Sequence, residues 1–199
     1  AGPNGQGVVS PPSKLCAQIV APYPPAGHIG VASQSGNFVS SFMNFAQHSG
    51  IGISRAVSAG NSAAVTVPDY LDFYAEDPET KVGLAYLEGI TDGRGYYDRL
   101  RSVAERKPLV VVKGGAVPAV AVGAAVFDGA MRQAGVTRAA TVEEAYEAAA
   151  TFATQPRPRG PRTVIYTTAG GWGVVTADAI ARTDLVLLDL PDDLRRTID

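Results

Sequence analysis

Two stretches of this 199-residue chain put small residues where a strand gives way to a helix, an arrangement that can hold an anion. The first is Ser33-Gln34-Ser35-Gly36-Asn37 and the second Ala169-Gly170-Gly171-Trp172-Gly173. Ile29 to Ala32 is a short apolar run and reads as a buried strand. Phe38, Phe42 and Phe45 then recur at helical spacing, with Val39, Met43 and Ala46 beside them and Ser40, Ser41, Asn44 and Gln47 on the other side. A helix that starts at such a turn presents N–H groups with no intrahelical partner and the positive end of its dipole. Small side chains let a phosphate or sulfate reach that end. The same pattern is also the ordinary repeat of an α/β fold, so spacing alone leaves both readings open. Two such helix ends aimed at one point would stabilise a transferring phosphoryl group through preorganised dipoles.

The composition bounds the class. Hydrophobic residues make up 46% and charged residues 18%, as in a globular chain long enough for a large core. The 22 glycines and 14 prolines suit a fold rich in strand-to-helix turns. A net charge of −2 with no dense basic cluster argues against nucleic-acid binding. The lone Cys16 allows no internal disulfide and no zinc motif, and no metal site is read. No apolar run approaches 18 residues and no signal peptide is evident, so the expectation is a cytoplasmic protein without membrane contact. Ala1-Gly2-Pro3-Asn4-Gly5 reads as the middle of a loop, which suggests that something precedes it.

The elements that must position the two turns alternate along the chain. Residues 1–16 read as loop, broken by Gly2, Pro3, Gly5, Gly7, Pro11 and Pro12. Ala17 to Ala21 is a possible strand. Strands are expected at Ile51–Ser58, Lys81–Leu87, Leu109–Val112 and Val136–Arg138. Helices are expected at Val67–Ala75, Gly93–Arg106, Val126–Ala134 and from a Thr141 cap to Ala153. This alternation implies a parallel sheet with helices on both faces. Gln155 to Pro161 (QPRPRGP) is a linker. After it come an expected strand Thr163–Thr168, the second small-residue turn, a helix Val174–Ala181, a strand Leu185–Leu188 and a helix from Asp192. The fold expected is α/β, flavodoxin-like in three layers: a complete module over 1–153, a linker over 154–161 and the start of a second module over 162–199.

Taken together, the motifs resemble the NDP-forming acyl-CoA synthetases, the superfamily of succinyl-CoA synthetase. The matching stretches are collinear and cover nearly the whole chain. They include Gly2-Pro3-Asn4, Ile29 through Asn37, Gly60-Asn61, Asp69-Tyr70-Leu71, Glu76 through Val82, Tyr86-Leu87-Glu88-Gly89-Ile90, Arg106-Lys107-Pro108, Val111-Val112-Lys113, Arg132 through Val136 and Ala169 through Val174. The resemblance implies an acid–CoA ligase domain that works through an acyl phosphate and a phosphohistidine. It implies coenzyme A, ADP or ATP and Mg in the full-length enzyme, a small carboxylic acid substrate, and an oligomer with CoA-binding and ATP-grasp domains on the same or a partner chain. It assigns phosphate binding to Ser33, Gln34, Ser35, Gly36 and Asn37 and to Ala169, Gly170, Gly171 and Gly173. Gly2, Pro3 and Asn4 become an active-site loop. Glu88 becomes the carboxylate that bonds the family's histidine, fixing its tautomer and supporting its charge.

The departures from the pattern bear on activity. The family carries its histidine between the Val-Lys strand and the helix before Arg-Gln-Ala-Gly-Val. Here that interval, Gly114 to Met131, is short and has no histidine. The two histidines present, His28 and His48, read as surface or capping residues. Gly5 stands where the family has Cys, Ser62 and Ala64 where it has acidic residues, and Thr168 and Trp172 where it has Asn and Pro. Either a histidine-bearing segment is left out near Pro118–Val122, or the chain is a degenerate binding or regulatory module, possibly fused to an acyltransferase. Of the remaining residues, Lys113 reads as reaching solvent, Cys16 as inert, Trp172 as packing at its turn, and Tyr96-Tyr97 as straddling core and surface.

Overall fold

In the computed structural model, residues 1–114 and 123–198 are described. They form two compact units, Ala1–Gln155 and Pro156–Asp199. The first unit is built on a seven-stranded sheet. Its strands in chain order are β1 (Gly7–Ser10), β2 (Leu15–Gln18), β3 (Ala26–Ser33), β4 (Ile53–Ser58), β5 (Val82–Leu87), β6 (Leu109–Lys113) and β7 (Thr137–Ala139). The spatial order is β2-β1-β4-β3-β5-β6-β7. Pairs from β4 through β7 are parallel. β1 runs antiparallel to both β2 and β4.

β5 and the first four residues of β6 are near-continuous apolar runs because helices cover both of their faces. The side chains of the central strands alternate between two cores with the period of a strand. Val31, Leu84 and Val110 face one layer, formed by α1 (Gly36–Ser49) and α5 (Val142–Thr154), where Phe42, Met43 and Ala149 are buried. Ala32, Ala85 and Val111 face the other, formed by α2 (Val67–Glu76), α3 (Gly93–Arg106) and α4 (Ala124–Gln133). There Leu71, Leu100, Val103, Phe127 and Met131 fill the space. Helix ends follow local chemistry. α1 stops at Gly50, whose φ of 74° is left-handed and whose N–H bonds Ala46 O. α5 starts at Thr141, whose hydroxyl accepts the Glu144 N–H.

Two expectations fail in this unit. Residues 1–16 are not all loop: β1, a 3-10 turn at Pro11–Ser13 and the first half of β2 lie there. β1 qualifies as a strand by pairing with β4 across nearly fifty residues, a contact that local composition does not encode. The possible strand at Ala17–Ala21 is the tail of β2, which ends at Gln18.

In the second unit, β8 (Arg162–Thr163) pairs in parallel with β9 (Val186–Leu187), and α6 (Gly170–Ile180) and α7 (Asp192–Ile198) accompany them. The strand expected over Thr163–Thr168 is cut to its first residue, because β9 offers only two residues to pair with. Val164, Tyr166, Trp172, Val174, Val175 and Leu185 to Leu188 are exposed. Trp172, expected to pack at its turn, is 71% exposed.

A ladder of charges joins α2 to α3. Arg99 bonds Asp69 at 2.7 Å and also Asp72, and Arg106 reaches Glu76 at 3.3 Å. These pairs are partly exposed and contribute little singly. Asp69 matters more as a cap, accepting the Thr66 N–H at 2.6 Å and the Thr66 hydroxyl at 2.7 Å. The hydroxyl bond, opposed by partial burial and aided by the N–H and Arg99, holds the Asp69 carboxyl at about 2. Asp69→Ala is expected to cost about 1 kcal/mol at pH 7, read by urea unfolding. The folded-state value lies below the ordinary 3.8, so the contribution is complete above that value and is lost as pH falls through about 2. The two proteins should therefore converge in stability on acidification; a gap that stays constant would contradict the assignment.

Candidate active site

The parallel strands deliver their C-terminal ends to one edge of the first unit. β3 leads through α1 to β4 on one side. β4 then leads through α2 to β5 on the other side of β3. The crevice outside such a reversal is where open α/β sheets bind ligands. Here it is a polar cleft of ≈ 230 Å³ lined by Asn4, Gln6, Gln34, Ser35, Gly36, Asn37 and Glu88.

The wall from β3 is a turn closed on itself. The Ser33 hydroxyl, fully buried, accepts the Ser35 N–H at 3.1 Å and donates to Ser35 O at 2.7 Å. Ser35 takes the N-cap position of α1 with extended backbone, yet its side chain makes no cap bond. The N–H groups of Gly36, Asn37 and Phe38 bond no group among the described residues, and the Val39 N–H reaches back to Ser35 O at 3.4 Å. Three open donors and an uncapped hydroxyl thus stand at the positive end of a 14-residue helix, and Ser35, Gly36 and Asn37 among them line the cleft. A Cβ at position 36 would lie 2.4 Å from the Gln6 side chain, so a larger residue there displaces the Gln6 amide from its place on the start of α1.

Gln6 was not foreseen. Its amide donates to Asn37 Oδ1 at 3.3 Å and accepts from the Ser40 hydroxyl at 2.8 Å, latching β1's approach onto the start of α1. Nothing marks it in the sequence except its place just after Gly-Pro-Asn. Of the Gly2-Pro3-Asn4 loop, Asn4 lines the cleft while Gly2 and Pro3 strap the segment down behind it. Gly2 N–H bonds Ala59 O at 2.9 Å and Asn61 N–H bonds Pro3 O at 2.9 Å. Asn4 Nδ2 donates to Asn61 Oδ1 at 3.3 Å. Gly5 lies so close to β4 that a Cβ would fall 2.7 Å from Ser58 O.

Glu88 follows directly on β5, exposed, with its side chain on the cleft. It is the one charged residue in the lining. Burial, then the charge and hydrogen bond of Glu88, push the Tyr86 phenol up to about 12. Lys113 does not simply reach solvent. It is half-buried, and its ammonium donates to Glu88 O at 2.7 Å. Burial and the neighbouring Arg138 lower its pKa, against a raising pull from Glu88. The Gln34 amide is likewise occupied by the Glu88 segment, and its N–H by Tyr86 O.

Neither histidine can meet Glu88. His28 sits early in β3, about 17 Å of strand away from the cleft end, with Nδ1 2.9 Å from Glu79 O. His48 ends α1, a helix about 20 Å long, with Nδ1 2.8 Å from Asn44 O. The sequence from Lys113 to Arg132 holds no histidine. Residues 115–122 themselves lie outside the described residues. Among the described residues no group of three His, Cys, Asp or Glu could hold a metal ion, and no helix is long and apolar enough to cross a membrane.

In the second unit, Ala169 caps α6 and Gly170, Gly171 and Gly173 form its first turn. The Ala169 N–H bonds the Thr167 hydroxyl at 3.1 Å, a turn of the same kind as Ser33–Ser35. These residues are mostly exposed.

Comparison with known proteins agrees with this geometry. The family profile described as succinyl-CoA ligase like flavodoxin domain matches residues 26–152. The alpha subunit of an ADP-forming acetate–CoA ligase I of Pyrococcus furiosus is 35% identical over 98% of this chain and 44% of its own length. An ADP-forming 4-hydroxybutyrate–CoA ligase of Nitrosopumilus maritimus is 30% identical over all of this chain and 30% of its own. That alignment runs over 213 positions, so the relative carries residues that this chain lacks. The acetyl-coenzyme A synthetase 1 of Ca. Korarchaeum cryptofilum, solved in complex with phosphate and ADP, superposes with a TM-score of 0.87 at 33% identity, over 99% of this chain and 45% of that one. The chain spans less than half the length of these relatives.

The strap under the cleft rests on Gly60, with φ at +59° and Pro3 O 2.4 Å from where a Cβ would sit. Gly60→Ala is expected to destabilise the chain by about 2 kcal/mol in urea unfolding. It should also speed amide exchange at Gly2 and Asn61. An unchanged midpoint would contradict the packing described.

Proposed function

The chain belongs to the succinyl-CoA ligase-like flavodoxin family, and from that premise we propose that it is the phosphate-handling domain of an ADP-forming acid–CoA ligase. The supporting observation is one juxtaposition: unpaired N–H groups at the start of α1 face a carboxylate, Glu88, at the reversal point of the sheet. The N–H groups of Gly36, Asn37 and Phe38 and the Ser35 hydroxyl hold the oxygens of a phosphate or an acyl phosphate. The amides of Asn4, Gln6 and Asn37 supply neutral donors at its edge. Glu88 would repel that anion unless something positive lay between them. A carboxylate there suits an imidazolium poised against phosphate, and its task is to orient that ring and support its charge.

The ring comes from outside this chain, since His28 and His48 stand at the far ends of β3 and α1. CoA, the nucleotide and Mg belong to domains beyond these 199 residues, as does the small carboxylic acid site. The second turn, at Ala169–Gly173, is the further phosphate-facing helix start, and a cytoplasmic oligomer of ligase subunits is the setting. A second reading, a binding or regulatory module without phosphoryl transfer, is favoured by the histidine-free interval Gly114–Met131.

The complete protein that contains this chain separates the two readings. Incubated with γ-³²P-labelled ATP, a ligase takes up acid-labile label on a histidine and loses it on adding acid and CoA. Glu88→Gln should lower that label at least tenfold while the thermal midpoint holds. No label in the unaltered protein would overturn the ligase reading and leave the binding module.

A further inference from the structure

Glu88 follows the last residue of a buried strand, a place where main-chain groups ordinarily turn to solvent. Here they do not. On the β3 side, Gln34 Oε1 accepts the N–H groups of Glu88 at 2.5 Å and Gly89 at 3.0 Å, and Gln34 Nε2 donates to Gly89 O at 3.0 Å. The Gln34 N–H itself donates to Tyr86 O at 3.1 Å. On the β6 side, Lys113 Nζ donates to Glu88 O at 2.7 Å, and the Gly114 N–H donates to Leu87 O at 2.8 Å. A Cβ at Gly114 would lie 2.1 Å from the Tyr86 hydroxyl, so this approach tolerates only glycine.

We propose that Gln34 and Lys113 are positioning residues: from opposite sides they fix the peptide groups of Glu88, so that only its side-chain torsions remain to aim the carboxylate into the cleft. The inference deepens the role given to Glu88 and rests on it. Gln34 commits its backbone N–H, its Oε1 and one of its two Nε2 hydrogens to this segment, so a residue matched to a phosphate loop also serves the carboxylate opposite that loop. Lys113, at a strand end, holds main-chain carbonyls and leaves the carboxylate to the Tyr86 hydroxyl and the cleft. The two clamps differ in kind. Gln34 is neutral, while Lys113 brings a charge whose loss alters the field at Glu88, so Gln34 gives the cleaner test.

The titratable and charged groups around Glu88 are the Tyr86 phenol on β5 and Lys113 on β6, with Arg138 on β7 beyond it. The start of α1 and residues 4–6 contribute neutral side chains. A sulfate in the cleft reads the Glu88 charge directly. In the 199-residue chain at neutral pH, Glu88→Gln should bind sulfate several-fold tighter than the unaltered chain. In a Gln34→Met background that gain should shrink at least twofold, or in Gln34→Asn, one methylene shorter, if Met compromises folding. Lys113→Met should do the same and Lys113→Arg should restore the gain. A purely structural role would lower affinity equally with and without the Glu88 carboxylate and leave the gain intact. Independently of any anion, amide exchange at Glu88 and Gly89 should quicken at least tenfold in Gln34→Met. A full-sized gain in both Met backgrounds, or unchanged exchange, overturns the proposal while the role of Glu88 stands. No gain in Glu88→Gln overturns that role and the proposal with it.

Discussion

The first N–H groups of a helix have no partner inside it, and the cleft depends on how this chain leaves them open. A side-chain cap at Ser35 would close them. Instead the fully buried Ser33 hydroxyl takes up the Ser35 N–H, the Ser35 side chain stays uncommitted, and Gly36 clears the way. The rest of the first unit serves that arrangement. Parallel strands buried on both faces bring their ends to one edge, and the reversal of strand order around β3 opens the crevice there. The antiparallel β1 carries Gln6 and the Gly2–Asn4 strap to the same edge.

A site made of dipoles and one carboxylate has a definite chemistry. On the reading proposed above, it takes an anion at the helix start and a cation beside Glu88. Phosphoryl transfer there needs a group delivered from elsewhere, and preorganised N–H groups cost no rearrangement when it arrives.

The central part of the fold was legible because burial on both faces writes strands as unbroken apolar runs, as in Val82–Leu87 and Leu109–Val112. Helices with one apolar stripe, such as Gly93–Arg106, were equally plain. β1 and β2 were not, because these four-residue strands among prolines and glycines are fixed by pairing: β1 with distant β4, and β2 at the sheet edge with β1. At the site, the small-residue turn gave away the helix start, since its reason is local. The tasks of Gln34 and Lys113 were hidden because both act across long separations in sequence, on main-chain groups that carry no sequence signature. Gln6 was hidden for the same reason. The shortened strand at Arg162–Thr163 shows the converse: an apolar run does not become a strand where too few residues face it.

The central claim is that the start of α1 and Glu88 together form an anion site. The most direct measurement is a crystal structure of this chain soaked in tungstate, with the metal located from its anomalous signal. The account predicts one strong peak within hydrogen-bonding distance of the Gly36, Asn37 and Phe38 N–H groups, on the Glu88 side of the helix. Tungstate bound elsewhere, with that helix start bare at saturating concentration, would contradict it.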